Sequence, residues 1–187
     1  MDGGRIRISD DEPLRRTRLA VLFRAALFVP PAVVIATWSA VAAVALVPAW
    51  AVLLVRGRPS ERLHHFFAAF VRYVGQAAAW FHLLSERYPN PWRAREHPFA
   101  IRVPEPSPQP RSITLFRIVL AIPALVLASA LSVVLALSAV AAWFAGIALG
   151  RTTTGLQELG TFCLRYELET VAYVLLLTSR YPRLAPE

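Results

Sequence analysis

Two long stretches of this 187-residue chain contain no charged side chain, and they constrain the fold more than any other feature. The first covers residues 25–55 and the second covers residues 118–150. A helix that crosses the ~30 Å hydrocarbon core of a bilayer needs about 20 mostly apolar residues. Both stretches exceed that length, so we expect both to be embedded in a membrane.

The second stretch belongs to a second copy of the first. Adding 93 to a residue number maps Arg24 onto Arg117, Trp50 onto Trp143, and the Arg-Tyr-Pro of 87–89 onto that of 180–182. About 27 of 85 positions are identical in this register without a gap. Alanine and leucine would match by chance in apolar sequence, but Arg, Trp and Pro in one register indicate a tandem duplication. We therefore divide the chain into a first membrane repeat (1–89), a proline-rich connector (90–97) and a second membrane repeat (98–187).

Each repeat is predicted to begin with a short strand. Apolar and polar residues alternate around Ile6 and Ile8, and again around Phe99, Ile101 and Val103. A single strand is not stable by itself, so we expect the two copies to pair as a small two-stranded ribbon. The rest of the chain predicts an all-α membrane protein, in which each repeat adds an apolar helical hairpin and an amphipathic interfacial helix.

The hairpin follows from length and charge. One helix over an entire apolar run would be about 48 Å long at 1.5 Å per residue, which is well beyond the hydrocarbon core. Arginines stand on both sides of each run, and a hairpin would leave all of them on the cytoplasmic side, as the excess of basic residues in cytoplasmic loops requires. We expect a bend near Pro48 in the first repeat. The alternative is a single long span in each repeat.

The segment after each run is predicted to be an amphipathic helix. In the second repeat, Glu158, Thr161, Arg165 and Glu169 recur at spacings of three and four, so they share one helical face. Leucines at 164, 168 and 175 lie on another face, which suits a helix in the membrane interface. The first repeat is more apolar and aromatic here, and a third span is its alternative.

The basic residues point to lipid. The net charge is +8 and all twenty basic residues are arginine. Because they flank the apolar runs, anionic phospholipid headgroups are the expected partner and nucleic acid is not. The candidate lipid contacts are Arg18, Arg24, Arg72, Arg111, Arg117 and Arg165.

The order of these features resembles a known family. The chain is similar to a tandem-duplicated bacterial membrane domain of unknown function. The shared features are, in order, a strand, an arginine, an apolar run with Pro and Trp, a Gly-Arg pair and a closing Leu-Leu-Thr-x-x-Tyr-Pro. The closing motif is present at 176–182. The family pattern usually has an acidic residue where Ser179 stands and a second arginine near Glu169, and this chain departs from it at both. The resemblance implies membrane location and repeat structure, but no activity and no site residues.

Catalytic signatures are not found in the sequence. The motifs of serine hydrolases, zinc proteases, P-loops and dinucleotide sites are absent, and the single Cys163 excludes an intrachain disulfide. His64 and His65 near Glu61 have no counterpart in the second repeat, so we expect neither a metal nor a cofactor.

Three functions remain open. The first is a non-enzymatic accessory or scaffold subunit of a membrane complex, because both runs are rich in small residues that permit close helix packing. The second is a bilayer-shaping or anionic-lipid-binding hairpin protein. The third is a small transporter. Partners would be the bilayer, other membrane-protein subunits or a second copy. The expected location is the bacterial cytoplasmic (inner) membrane, multi-pass, with the termini and the connector in the cytoplasm.

Overall fold

The computed structural model describes residues 6–9, 23–91, 97–149 and 152–184. The described chain is mainly helical, as expected, with one small sheet. In chain order its elements are β1 (Arg7–Ser9), α1 (Arg24–Leu27), α2 (Val29–Arg56), α3 (Glu61–Phe81), β2 (Ala100–Arg102), α4 (Arg111–Leu149) and α5 (Thr154–Val174).

The predicted hairpin within each apolar run is wrong, because α2 and α4 are continuous helices of 28 and 39 residues. The polar residues in the middle of the runs do not make a turn. Thr37 donates its hydroxyl proton to the Val33 carbonyl at 2.9 Å, and Ser132 donates to the Ser129 carbonyl at 2.9 Å. Since these hydroxyls bond to their own helix, nothing interrupts it. Pro48 lies inside α2 and removes one backbone donor there without reversing the chain.

The chain does reverse in the first repeat, but one element later. Two prolines occupy the start of α2, where a missing N–H costs least. Gly57 ends the helix at φ 68°, and its N–H bonds to the Leu53 carbonyl at 2.8 Å. A left-handed residue of this kind stops a helix, and glycine adopts it without strain. The helix α3 then begins at Glu61.

α3 runs back along most of α2, with 21 residues against 28. The rings of Phe28 and Phe81 lie 4.4 Å apart at one end. In the middle, the ring of Trp38 lies 5.8 Å from that of Phe70. At the other end, Leu53 and His64 line a common small cavity. The two helices therefore form an antiparallel pair, and α3 lies at the same level as α2 over its full length.

α4 is also antiparallel to α2. The backbone N–H of Gln109 donates to the Gly57 carbonyl at 3.0 Å, which places the start of α4 beside the end of α2. About one turn into α4, the carbonyl of Thr114 accepts from the indole N–H of Trp50 on α2 at 3.0 Å. The two repeats are thus inverted relative to each other.

The predicted two-stranded ribbon is confirmed. β1 and β2 pair antiparallel with Ile8 opposite Ile101, which are equivalent positions in the two repeats. Equivalent positions of the two repeats also meet where α3 crosses α5. A Cβ on Gly75 would lie 2.8 Å from Cδ1 of its equivalent, Leu168. An axis of approximate two-fold symmetry therefore passes through both contacts.

The elements form three layers. β2 packs on α3, and β1 packs on α5. On α3, the side chains of Phe66 and Tyr73 face Trp38 of α2, whereas Gly75 faces Ile101 of β2. With 3.6 residues per turn, position 75 is about half a turn from positions 66 and 73. The ribbon and the α2–α4 pair therefore cover opposite sides of the α3–α5 layer.

The amphipathic interfacial helix predicted for α5 stays a prediction, because Thr161, Arg165 and Glu169 of its polar face are half-buried and its apolar face packs on protein. Leu164 and Leu168 are buried in the core between the layers, and Glu158 is exposed. In α3, Gln76 is completely buried and Arg72 is half-buried.

Two helical segments of the described chain are long and apolar enough to cross a membrane. They are Arg24–Arg56 and Arg111–Ala148, with mean hydropathies of 2.2 and 2.7, and little of either is buried within the protein. α3 is not one of them, so nothing supports its alternative reading as a third span.

The α3–α5 crossing leads to a prediction about stability. Gly75→Ala should lower the free energy of unfolding by about 1–3 kcal/mol, the usual cost of overpacking, because the added methyl would meet Leu168 and Ile101. Gly155→Ala in α5 is the matched control, since its Cβ would meet no atom within 4 Å. This control should leave stability unchanged or raise it, because alanine favours helix. Thermal unfolding in mild detergent measures both, and equal effects would contradict the tight crossing.

Candidate functional site

The most unusual polar group of the second repeat is Arg117, which is buried near the start of α4 with 3% of its surface exposed. Its Nη1 donates to the Tyr173 carbonyl at 2.6 Å and to the Thr178 carbonyl at 3.0 Å. Its Nη2 donates to the side-chain oxygen of Gln109. The guanidinium carbon lies 4.7 Å from the centre of the Tyr173 ring. The arginine therefore binds the end of α5 from a position on α4.

Arg24 makes the equivalent contacts in the first repeat. Its Nη1 donates to the carbonyl of Trp80, the counterpart of Tyr173. Its guanidinium carbon lies 4.8 Å from the centre of the Trp80 ring. A tyrosine then packs edge-on against each of these rings: Tyr88 at 5.1 Å from Trp80, and Tyr181 at 5.7 Å from Tyr173.

Each arginine meets a helix end with an uncommon conformation. Leu83 and Leu176 have φ of 64° and 63°, a left-handed region in which a leucine costs on the order of 1 kcal/mol. In both places the following amide donates back to the last turn, from Leu84 to the Ala79 carbonyl at 2.8 Å and from Leu177 to the Ala172 carbonyl at 2.9 Å. This is the Schellman helix ending, which normally has glycine at the left-handed position.

The two arginines complete these endings. The last carbonyls of a helix have no partner within it, and they form the negative end of the helix dipole. A guanidinium provides several donors and a positive charge at that point. The Leu-Leu-Thr-x-x-Tyr-Pro motif is thereby explained in structural terms. Its first leucine is the left-handed residue, the carbonyl of its threonine accepts from Arg117, and its tyrosine packs on the ring below the guanidinium.

Beside each arginine lies an apolar cleft between the two repeats, with a volume of about 310 Å³ at Arg24 and about 300 Å³ at Arg117. Each combines a helix ending of one repeat with the long helix of the other. The first cleft brings Arg24, Ala25, Phe81 and Leu83 against Ala136, Ala139, Val140 and Trp143. The second brings their equivalents Arg117, Ile118, Val174 and Leu176 against Ala43, Leu46, Val47 and Trp50.

The other predicted lipid contacts are more dispersed. Arg111 is exposed, and its Nη2 donates to the Val55 carbonyl at 2.8 Å. Arg72 and Arg165 are half-buried equivalents, and the guanidinium of Arg165 lies 5.6 Å from the Phe162 ring. Arg18 lies outside the described residues. The structure thus brings Arg24 and Arg117 to matching sites, and direct lipid contact stays a prediction for all six.

The adjacent histidines do not face a common site. The buried Nε2 of His64 lies 2.9 Å from the Pro104 carbonyl, and burial lowers the pKa of this ring. His65 is exposed and bonds within its own helix to the Glu61 carbonyl at 2.7 Å. Over the described ranges, no group of three or more His, Cys, Asp or Glu side chains could hold a metal ion.

Sequence reasoning missed three participants in these sites. Gln109 is not singled out by any sequence pattern, although its amide donates to the Leu176 carbonyl at 2.8 Å. The left-handed leucines were not recognised, because glycine is the residue that signals such an ending. The signal that could have found them is the identity of Leu83-Leu84 with Leu176-Leu177 directly after each helix.

One carboxyl group outside these sites is also unusual. Burial raises the pKa of Glu167 on α5 to about 7, and its Oε1 is buried without a hydrogen-bond partner. Its equivalent in the first repeat is Val74, so this group is particular to the second repeat.

Comparison with known proteins identifies the family. The family model described as domain of unknown function (DUF4389) matches the chain twice, at residues 18–93 and 111–184. The chain therefore belongs to that family as a tandem duplication, and the resemblance drawn from the sequence is confirmed. No curated protein and no solved structure matches the chain.

The arginine contacts predict a large effect of Arg117→Met. The substitution would remove the buried guanidinium donor from the carbonyls of Tyr173 and Thr178, and a hydrogen bond to a charged group contributes about 1.5–3 kcal/mol. Arg111→Met is the control, because exposed polar contacts contribute about 1 kcal/mol or less. Denaturant unfolding in detergent, followed by circular dichroism, measures both variants. Similar small losses would show that the buried guanidinium does not hold α5.

Glu167 predicts a dependence of stability on pH. In the unfolded chain this carboxyl ionises at its ordinary pKa near 4.3, whereas in the folded chain it ionises at about 7. Between these values the folded state binds more protons, so this group lowers the free energy of unfolding as the pH rises through that interval. Glu167→Gln should therefore melt higher than the unmodified chain at pH 8 and close to it at pH 4.5. The exposed Glu158→Gln is the control, and a pH-independent difference would refute the burial effect.

Proposed function

We propose that this member of the family is a non-enzymatic membrane protein that lies within one leaflet of an anionic bilayer and bends that leaflet. The observation that carries the proposal is that an apolar face and a charged face lie on opposite sides of the protein. The outer side of the α2–α4 pair is exposed and apolar, whereas the ribbon on the far side of α3 and α5 carries exposed charge.

The apolar face is extensive. Val44 on α2 is 75% exposed, and Ile118 and Leu137 on α4 are 76% and 66% exposed. These side chains stand along helices that would be about 42 Å and about 58 Å long at 1.5 Å per residue. Soluble proteins rarely expose contiguous apolar patches beyond a few hundred Å². Lipid is the medium that accepts such a face without a second protein.

The position of the ribbon favours an in-plane orientation over a crossing one. Because α3 runs back along most of α2, an upright α2 would bring α3 and the ribbon packed on it into the hydrocarbon. Ile101 of β2 packs beside Gly75, and the next residue, Arg102, is exposed. A charged side chain and open strand edges are costly at that depth. With α2 and α4 lying flat, the ribbon is in water.

The distribution of arginines supports the same orientation. Arg56, Arg58 and Arg62 are exposed at the end of α2. Arg87 is exposed at the opposite end, where the Tyr88 hydroxyl donates to the Leu27 carbonyl at 3.2 Å. An upright molecule would move one of these groups across the membrane, against the preference for basic residues in the cytoplasm. A flat molecule keeps both at anionic headgroups, at about 1 kcal/mol per arginine.

Bending follows from this one-sided insertion. Two long apolar helices in a single leaflet expand it relative to the other leaflet, as interfacial amphipathic helices do. The termini and the connector would then face the cytoplasm, as expected from the sequence, and neither long helix would cross the cytoplasmic membrane.

The accessory-subunit hypothesis loses part of its motivation. Several of the small residues on which it rested are buried between the chain's own helices: Ala42, Ala49, Ala121, Ala124 and Ala142. Close packing at these positions serves the internal pairing of the repeats, so lipid binding is the function that the geometry supports best.

Cysteine labelling tests the orientation. In a Cys163→Ala background, Glu61→Cys and Glu86→Cys place a thiol at opposite ends of α3, and Arg102→Cys places one on the ribbon; all three positions are exposed. A membrane-impermeant maleimide should label all three from the cytoplasmic side of inverted membrane vesicles and none from the periplasmic side of spheroplasts. Labelling of the two ends from opposite sides would refute the proposal.

Vesicle remodelling tests the function. Purified protein should tubulate or fragment liposomes that contain anionic phospholipid, and electron microscopy would show this directly. Val44→Glu places a charge on the apolar face and should abolish the effect, whereas Glu158→Gln on α5 should preserve it. Unchanged liposomes with the unmodified chain would contradict the shaping role.

A further inference from the structure

We propose that the two clefts at Arg24 and Arg117 are phospholipid sites, each of which takes one anionic phospholipid with an acyl chain in the cleft and its phosphate at the arginine. The inference rests on the proposed membrane insertion, and it adds two specific sites to a general affinity for lipid.

The repetition of the cleft is the first reason. Adding 93 relates eight of the nine lining residues of one cleft to lining residues of the other, so each cleft faces the long helix of the other repeat. The exceptions are His82 in the first cleft and Ala121 in the second. The side chains at equivalent positions differ in size: Phe81 corresponds to Val174, and Leu46 corresponds to Ala139. The two clefts nevertheless have nearly the same volume, about 310 Å³ and about 300 Å³. A shared occupant accounts for the recurrence.

The chemistry of the walls is the second reason. The cleft at Arg117 is almost entirely apolar, and its mouth includes Ile118 and Val47, which are 76% and 70% exposed on the α2–α4 face. It is therefore continuous with the surface proposed to lie in lipid. A hydrocarbon chain is the ligand that matches such walls and is present at high concentration at that surface.

The third reason is the arginine at each cleft, because its positive charge favours an anionic occupant. The cleft leads from the outer helices to the end of α5, which lies in the layer nearer to the headgroups. There the Nε of Arg117 is buried and has no hydrogen-bond partner, although its other nitrogens are engaged. A phosphate oxygen is a strong acceptor for this remaining donor. The equivalent Arg24 lines the first cleft.

Native mass spectrometry of protein released from nanodiscs tests the proposal. The nanodiscs would contain equal amounts of phosphatidylglycerol and phosphatidylcholine. The unmodified chain should retain up to two phospholipids, enriched in phosphatidylglycerol. Ala43→Phe and Ala136→Phe fill one cleft each at equivalent, exposed positions, so each variant should lose one lipid and the double variant should lose both. Val33→Phe, on the exposed surface of α2 outside the clefts, is the matched control and should lose none.

Fluorescence provides a second measurement that does not depend on the filled variants folding. Chains that retain only Trp50 or only Trp143, with the other tryptophans changed to Phe, should be quenched by brominated phosphatidylglycerol in detergent. Quenching should saturate near two lipids per chain. A chain that retains only Trp38, which packs against Phe66 and Tyr73, should be quenched far less.

The outcomes separate this inference from the proposed function. If the double variant retains as many lipids as the unmodified chain, the clefts are not the sites. If lipids are lost as expected without enrichment of phosphatidylglycerol, the role assigned to the arginines is wrong. If the double variant still remodels vesicles, the proposed function survives whatever the clefts bind. If the unmodified chain fails to remodel vesicles and yet retains two phosphatidylglycerol molecules, only the shaping role is lost.

Discussion

The crossing of α3 and α5 is the contact on which the remaining arrangement depends. Gly75 lets Leu168 and Ile101 approach α3 more closely than any side chain would permit. Because Gly75 and Leu168 are equivalent positions, the crossing lies on the two-fold axis and fixes where both repeats stand. The ribbon closes over one side of the crossing and the long helices cover the other. The inversion of the repeats is therefore a property of the packed core and does not require a membrane to impose it.

The buried arginines connect this core to the outer layer. Each one lies in the helical segment that opens a long apolar run, and it binds the end of the next helix in the same repeat. Separation of α3 or α5 from its long partner would therefore break these buried guanidinium contacts. A guanidinium suits this role better than an ammonium, because several fixed donors reach different oxygens while its face packs on an aromatic ring. Each left-handed leucine also lines the cleft between the repeats beside its arginine.

Hydropathy alone does not decide how α2 and α4 are oriented in a bilayer. Length and composition fit α2 and α4 equally well for crossing a bilayer or for lying in it. The elements packed against α2 and α4 distinguish a crossing orientation from an in-plane one. α3 packs along most of α2, and β2 packs on α3 with Arg102 exposed. In the proposed in-plane orientation, the arginines at both ends of α2, which suggested a hairpin from the sequence, lie on one side of the membrane without a hairpin.

The sequence by itself determined the duplication, the apolar character of the two runs and the pairing of the strands, because each of these depends on residue type and spacing along the chain. It did not determine that α2 and α4 are unbroken, since hydroxyl groups such as that of Thr37 bond to their own helix as readily as they sit in a turn. Nor did it place Gln109 beside Arg117, or Arg24 on the end of α3, because these contacts join residues far apart in the chain. Only tertiary packing decides which helix end a buried guanidinium meets, since that choice depends on the direction in which the helices cross.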